Sequence, residues 1–145
     1  MSAAMAGTRP AATAMRVDRS ELGAVFAGGF AGAVARAGLV EAWPARPGVW
    51  PWATFTVNLA GAFLLGLLVT RLQERLPLSA YRRPFVGTGL CGALTTFSAM
   101  QLELLRMLDG RHYVLALGYA SASIVLGFLA VAAASNLVRR AKVAV

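Results

Sequence analysis

Residues Gly87–Met100 read GTGLCGALTTFSAM and lie inside a stretch, 84–102, that contains no charged residue. A stretch of that length can cross a lipid bilayer. Its interior, however, is rich in glycine, threonine and serine, and glycine is a poor helix former. In hydrocarbon, backbone freed from helical hydrogen bonds persists only where it lines a cavity or binds an ion. We therefore expect a membrane-spanning helix broken near Gly92, with a small-residue packing seam between helices as the alternative.

The composition indicates an integral membrane protein of one domain. Of 145 residues, 58% are hydrophobic and only 14% are charged, and the net charge is +8. Soluble domains carry about 25% charged residues. The basic residues cluster between apolar runs, as membrane topology requires, so we do not expect nucleic-acid binding. One Cys and one His, without a nucleophile–base set, argue against an intrachain disulfide, a zinc cluster and an enzyme.

Four apolar segments follow one another, and the fold class predicted is an all-α membrane protein with four transmembrane helices. The helices are expected at about 22–43, 52–72, 84–108 and 112–138. Residues 1–20 are expected to form a disordered cytoplasmic tail, 21–140 the membrane domain, and 141–145 a C-terminal tail. A cleaved signal peptide is the alternative for the N-terminus, since Ala33-Val34-Ala35 resembles a cleavage site.

Polar side chains inside these segments are the candidates for function. Thr54 and Asn58 are four residues apart and share a helix face. The Asn58 amide offers two donors, which an anion requires, although an asparagine joining two helices is common. Arg36 either faces an aqueous vestibule or extends to the interface. Glu103 and Arg106, three apart, are expected to form a partly solvated ion pair or to line a vestibule.

Four short motifs resemble the Fluc (CrcB) fluoride-channel family, in the same order. Residues 92–98, GALTTFS, resemble the third-helix pattern G-G-x-T-T-F-S-T-F of that family. Residues 28–36, GGFAGAVAR, are similar to its first-helix pattern, and 56–66, TVNLAGAFLLG, to its second. Tyr119, Ser123 and Gly127 repeat its fourth-helix spacing. The resemblance covers residues 22–140.

The resemblance implies a fluoride-selective channel subunit that gives passive fluoride efflux and fluoride resistance. It implies an antiparallel dimer with two pores and a structural Na⁺ at the dimer centre, held by the backbone carbonyls of Gly92 and Thr95. Arg36 would lie in the vestibule. The family's anion-pathway positions correspond to Asn58, Phe97, Ser98, Tyr119 and Ser123, and the hydroxyl of Thr54 is a further donor that the sequence itself supplies. Met100 stands where the family pattern has a second Phe, so an anion contact at that position is in doubt.

The basic residues predict one orientation in the cell membrane, with both termini in the cytoplasm. Ten of the fourteen lie on the side of the termini and three on the other, with Arg36 inside the first helix. The ten are Arg9, Arg16, Arg19, Arg71, Arg75, Arg82, Arg83, Arg139, Arg140 and Lys142. Arg46, Arg106 and Arg111 are the three. Because an antiparallel dimer needs two opposite orientations, we expect a heterodimer with a paralogous subunit of reversed charge bias. A dual-topology homodimer is the alternative.

Two other functions fit a small four-helix membrane protein. A proton-coupled multidrug-type exporter would need a titratable carboxylate deep in the first helix, whereas Glu41 lies near its end. A non-transporting membrane interaction subunit would have no use for a broken third helix. A fluoride-efflux measurement distinguishes all three.

Overall fold

A computed structural model of the chain describes residues 18–73 and 81–143, with the side chains of 142 and 143 excepted. Helix α1 comprises Arg19–Ala42 and α2 comprises Trp52–Gln73. The π-helical α3, Arg83–Cys91, continues directly into the single turn α4, Gly92–Leu94. Helix α5 comprises Phe97–Asp109, and α6 comprises Tyr113–Val143. The described residues contain no β-strand.

Four stretches are long and apolar enough to cross a membrane: Arg19–Ala42, Trp52–Gln73, Arg83–Asp109 and Tyr113–Ala141. The third comprises α3, α4 and α5. Large apolar side chains point outward along them, among them Phe26, Val114, Ile124 and Phe128, each more than 70% exposed. Such a surface is stable in contact with lipid or a second subunit, and unstable in water. The chain is therefore a multi-pass membrane protein.

The N-terminus of α1 lies three residues before the expected Leu22. Asp18 caps the helix, since its Oδ1 accepts hydrogen bonds from the Ser20 backbone N–H at 2.9 Å and from Ser20 Oγ at 2.5 Å. These bonds lower the pKa of the Asp18 carboxyl. Residues 19 and 20 of the expected tail are thus helical, and 1–17 lie outside the described residues. At the other terminus α6 extends to Val143, past the expected 138, and only 144 and 145 of the expected tail are not described.

Helices α1 and α3 pack backbone against backbone. A Cβ added to Gly28 would lie 2.1 Å from the Phe85 carbonyl oxygen, and one added to Gly32 would lie 2.4 Å from that of Leu90. On α3, a Cβ on Gly89 would lie 2.5 Å from the Val25 carbonyl oxygen. Only glycine permits such an approach. The glycine spacing in the first segment therefore serves helix pairing.

Helices α2 and α6 form the second close pair. Gly66 faces Ala134, where an added Cβ would lie 3.0 Å from the alanine Cβ. Thr70 Oγ1 donates to Ser135 Oγ at 2.9 Å, so the polar groups of this interface satisfy each other. At the end of the helices opposite the termini, the imidazole of His112 packs on Gly48, whose φ is +73°. The two loops at that end are thereby held together.

Candidate functional site

The helical backbone of the third span is interrupted at Thr95 and Thr96. Thr95 has φ −79° and ψ 148°, and Thr96 has φ −148° and ψ 104°, so both residues are extended. Gly92, where the sequence predicted the break, is helical with φ −63° and ψ −35°. The backbone N–H and the hydroxyl of Thr95 both donate to the Cys91 carbonyl, at 3.0 and 2.8 Å. The last turn before the interruption is thereby closed.

Asn58 on α2 pairs with the backbone of Thr96. Its Oδ1 accepts the Thr96 N–H at 2.8 Å, and its Nδ2 donates to the Thr96 carbonyl at 3.2 Å. In a continuous helix, that N–H would close a turn on the Gly92 carbonyl. The Asn58 side chain thus replaces the helical bond and releases the Gly92 carbonyl from it. Asn58 bridges two spans, and one of its two amide N–H groups remains for another acceptor.

Thr96 also begins the next helix. Its Oγ1 accepts the Ala99 N–H at 3.2 Å, which caps α5, and lies 3.3 Å from Ser98 Oγ. Threonine is a favoured capping residue because its side chain satisfies an N–H that has no intrahelical partner. The polar residues of the TTFS motif thus have structural partners at the interruption.

Arg36 on α1 reaches the same interruption. Its Nε donates to the Ala93 carbonyl at 3.2 Å, and its side chain is half-buried. A cation at the C-terminal end of a helix is favoured by the helix dipole. Arg36 therefore lies where the helical turn Gly92–Leu94 exposes its carbonyls, and the sequence had offered only a vestibule or the interface for it.

Gly61 on α2 lets Thr95 approach. A Cβ at Gly61 would lie 2.0 Å from Thr95 Cγ2, a distance that no pair of carbon atoms tolerates. The interruption is therefore enclosed by α1 on one side, through Arg36, and by α2 on the other, through Asn58 and Gly61.

Glu103 on α5 joins two of the predicted pathway residues. Its Oε1 accepts a hydrogen bond from Thr54 Oγ1 at 2.5 Å, and its Oε2 accepts one from the Tyr119 hydroxyl at 2.8 Å. Thr54 and Tyr119 are almost completely buried, at 3% and 0% exposure. The hydroxyl protons of both residues point to Glu103 in this arrangement.

The ion pair expected between Glu103 and Arg106 is not formed in the part of the chain that the structure describes. The carboxylate of Glu103 turns toward α2 and α6, because two buried hydroxyl donors lie there. Glu103 and Arg106 both line a groove of about 350 Å³ together with Arg46 and Asp109. The second expectation for this pair, a position at a vestibule, fits that groove.

Ser123 lies beside Asn58. Both line a cavity of about 130 Å³, and Met100 lines it as well. Phe97 is 70% exposed and Ser98 is exposed. Both side chains therefore lie on the outer surface of the chain, at the third span.

The structure therefore gathers the predicted residues into two clusters and gives Thr96 and Glu103 partners that the sequence did not predict. Asn58, Ser98 and Ser123 lie around the interruption, while Thr54 and Tyr119 lie around Glu103. Thr96 had only its place in the TTFS motif as a signal. Glu103 had an arginine three residues away, which favoured the wrong partner.

Comparison with known proteins decides the family. A family model described as "CrcB-like protein, Camphor Resistance (CrcB)" matches residues 23–135. The chain belongs to this family. The match of the CrcB-like model includes the interruption, Asn58, Arg36 and Glu103, and extends into all four spans.

Relatives within the CrcB-like family are similar over most of their length. The chain is 58% identical over 126 residues to "Fluoride-specific ion channel FluC 1" of Mycolicibacterium paratuberculosis, covering 87% of this chain and 96% of the relative. The protein of the same name from Mycobacterium tuberculosis gives the same values. "Fluoride-specific ion channel FluC 2" of Nocardia farcinica is 39% identical over 131 residues, with 86% and 94% covered.

Proposed function

We propose that this CrcB-like chain is a subunit of a fluoride-selective ion channel that allows passive fluoride efflux and so gives resistance to fluoride. The observation that carries the proposal is the Asn58–Thr96 pairing, which holds an interrupted backbone and a cluster of uncharged donors inside an apolar span. The relatives named as fluoride-specific channels support it. Interrupted backbone of this kind is expected where a pathway crosses a membrane.

The pathway donors in this proposal are neutral, because conduction needs sites that are favourable yet weak enough to release the ion. Asn58, which has a second N–H to donate, and Ser123 line one cavity. Phe97 and Ser98 lie one and two residues beyond Thr96. The edge of an aromatic ring is positive and can contact an anion. Thr54 and Tyr119 contribute by holding Glu103, whose charge they compensate with two hydrogen bonds.

We propose that a second subunit packs antiparallel to this one, as in the family that the motifs resemble. The exposed ring of Phe97 and the outward-facing apolar side chains support the packing of a second subunit against this surface. A Na⁺ ion at the dimer centre would be held by the carbonyls of Gly92 and Thr95. These fit a hard cation, since carbonyl oxygens are its preferred ligands and the Gly92 carbonyl is released from the Thr96 N–H. The ion would neutralise carbonyl dipoles where two interruptions meet.

The partner in this proposal is a paralogous chain of opposite orientation. Arg46, Arg106 and Arg111 belong to the end of the molecule where the loops meet at Gly48 and His112. The described basic residues Arg19, Arg71, Arg82, Arg83, Arg139 and Arg140 belong to the other end, which would be cytoplasmic. The numbered names FluC 1 and FluC 2 among the relatives support the existence of paralogous subunits.

Fluoride efflux from liposomes tests the function. The full chain, reconstituted with its paralogue, is expected to release fluoride under a potassium gradient with valinomycin and to retain chloride. Equal chloride flux, or an absolute need for a proton gradient, would overturn the proposal and favour an exporter.

Reporter fusions at the C-terminus test the orientation. Equal signal from both sides of the membrane, or robust flux from the chain alone, would show a dual-topology homodimer.

A further inference from the structure

Trp50 is the last residue but one before α2 and belongs to an aromatic cluster. Its ring meets Phe55 at a centroid distance of 5.3 Å and an interplanar angle of 81°. It meets Tyr119 in the same edge-to-face manner, at 5.4 Å and 82°. Tyr119 belongs to this aromatic cluster, and its hydroxyl donates a hydrogen bond to Glu103. Trp50 is thus one ring away from the Glu103 cluster.

The indole N–H of Trp50 is a buried donor without a partner. Among the described residues, its Nε1 is the buried side-chain nitrogen or oxygen for which no hydrogen bond is formed. A buried polar group left unpaired is destabilising, and such groups are rare in folded proteins. The indole nitrogen is a donor only, so its missing partner must be an acceptor. The Glu103 carboxylate accepts from Thr54 and Tyr119 and forms no hydrogen bond with this N–H.

Trp50 also lines a surface depression of about 520 Å³ at the end of the bundle where the loops meet. Arg111 and His112 line the same depression and are both exposed. A concave surface with an arginine raises the local concentration of anions. The depression therefore has a basic rim, and the unpaired indole N–H lies buried beneath its wall.

We propose that the indole N–H of Trp50 binds the permeating anion at this mouth of the molecule, between the basic rim and the Tyr119–Glu103 cluster. This rests on the proposed channel function and adds to it a contact that is not part of the TTFS motif. Fluoride is a strong hydrogen-bond acceptor without a donor, which matches an isolated N–H group. The neighbouring edge-to-face rings fix the indole, so its donor is oriented before the ion arrives.

The substitution Trp50→Phe tests this, since it removes the N–H and keeps an aromatic ring at the cluster. Trp52→Phe is the matched control, because Trp52 belongs to the same cluster, 5.9 Å from Trp50, yet is 57% exposed. In liposomes, fluoride efflux through the assembled channel should fall about tenfold for Trp50→Phe, the size expected for one hydrogen bond to an ion. It should stay within about twofold for Trp52→Phe, where no buried donor is lost.

A second measurement does not depend on flux or on the folding of the variant. The chain has three tryptophans, so a ¹⁵N-indole spectrum of the assembled channel contains three signals per copy, assigned through the single Trp→Phe variants that fold. Titration with fluoride should shift the Trp50 signal, and chloride at the same concentration should not. A Trp50 signal that fluoride does not shift would show that the indole N–H does not bind the ion, and would overturn the inference. A Trp50→Phe channel that releases fluoride as fast as the wild type would overturn the inference too. If the wild-type channel itself released no fluoride, the proposed channel function would be wrong.

Discussion

The side-chain amide of Asn58 forms two hydrogen bonds with the backbone of Thr96, 38 residues further along the chain. A single side chain thereby substitutes for the peptide group that a continuous helix would have supplied. The pairing makes one residue of α2 responsible for the geometry of the third span.

Asn58→Asp should abolish fluoride flux while the subunits still assemble. The carboxylate can still accept the Thr96 N–H, but it cannot donate to the Thr96 carbonyl. Its charge also repels the anion by about 4 kcal/mol at about 4 Å, which predicts a loss on the order of 1,000-fold. Flux per assembled channel is measured in liposomes, and size-exclusion chromatography follows assembly. Asn136→Asp, at an exposed position in the C-terminal part of α6, is the control and should conduct normally. Normal conduction by Asn58→Asp would show that Asn58 is needed neither for the pairing with Thr96 nor for the anion pathway.

Gly61→Ala should disturb the interruption, and Thr95→Ser should rescue it. The alanine Cβ would lie 2.0 Å from Thr95 Cγ2, and serine lacks that methyl group. We expect the single variant to lose flux and about 1 to 3 kcal/mol of stability, as overpacked sites do. The double variant should recover most of both, as judged by efflux and thermal unfolding. Gly38→Ala serves as the control, since nothing lies within 4 Å of its added Cβ. A double variant no better than Gly61→Ala would contradict this contact.

Thr54→Val and Tyr119→Phe should each destabilise the protein through the same carboxylate. Each removes one hydrogen bond to the carboxylate of the partly buried Glu103, and the loss of a hydrogen bond to a charged group is destabilising by about 1 to 3 kcal/mol. Because both act on Glu103, the effects should deviate from additivity by about 0.5 to 3 kcal/mol in a double-mutant cycle of unfolding. Tyr113→Phe, at an exposed tyrosine, should change little. Additive effects would show that the two hydroxyl groups act independently.

Asp18 should make the start of α1 sensitive to acid. Its hydrogen bonds with Ser20 hold the pKa of the carboxyl below the ordinary value of 3.8. The carboxylate bonds are therefore fully present above that value and are lost as the pH falls through the lowered pKa. Hydrogen-exchange protection of the Ser20 amide should decline below pH 3.8 in the wild type. In Asp18→Asn, whose amide does not titrate, protection should not depend on pH in this range. The same decline in both proteins would exclude Asp18 as its cause.

Four spans and the family could be read from the sequence because apolar length and motif order are local properties of the chain. The sequence predicted the interruption near Gly92, because glycine is a poor helix former. Gly92 is helical, and the extended residues are Thr95 and Thr96, three and four residues further on. Asn58 decides that outcome through a contact across spans. The partners of Glu103 were missed for the same reason, as Thr54 is 49 residues away in sequence. Spacing along a helix points only to partners on that helix.

The glycines between α1 and α3 have a consequence for how this chain can vary. At Gly28, Gly32 and Gly89 the nearest atoms are backbone carbonyls, so no side chain could rotate away to admit a methyl group. In a saturating substitution library, these three positions should tolerate glycine alone. Gly23 and Gly38, on the same first helix, have nothing within 4 Å and should accept alanine. A tolerance map of α1 would thus trace its line of contact with α3 without any structural measurement.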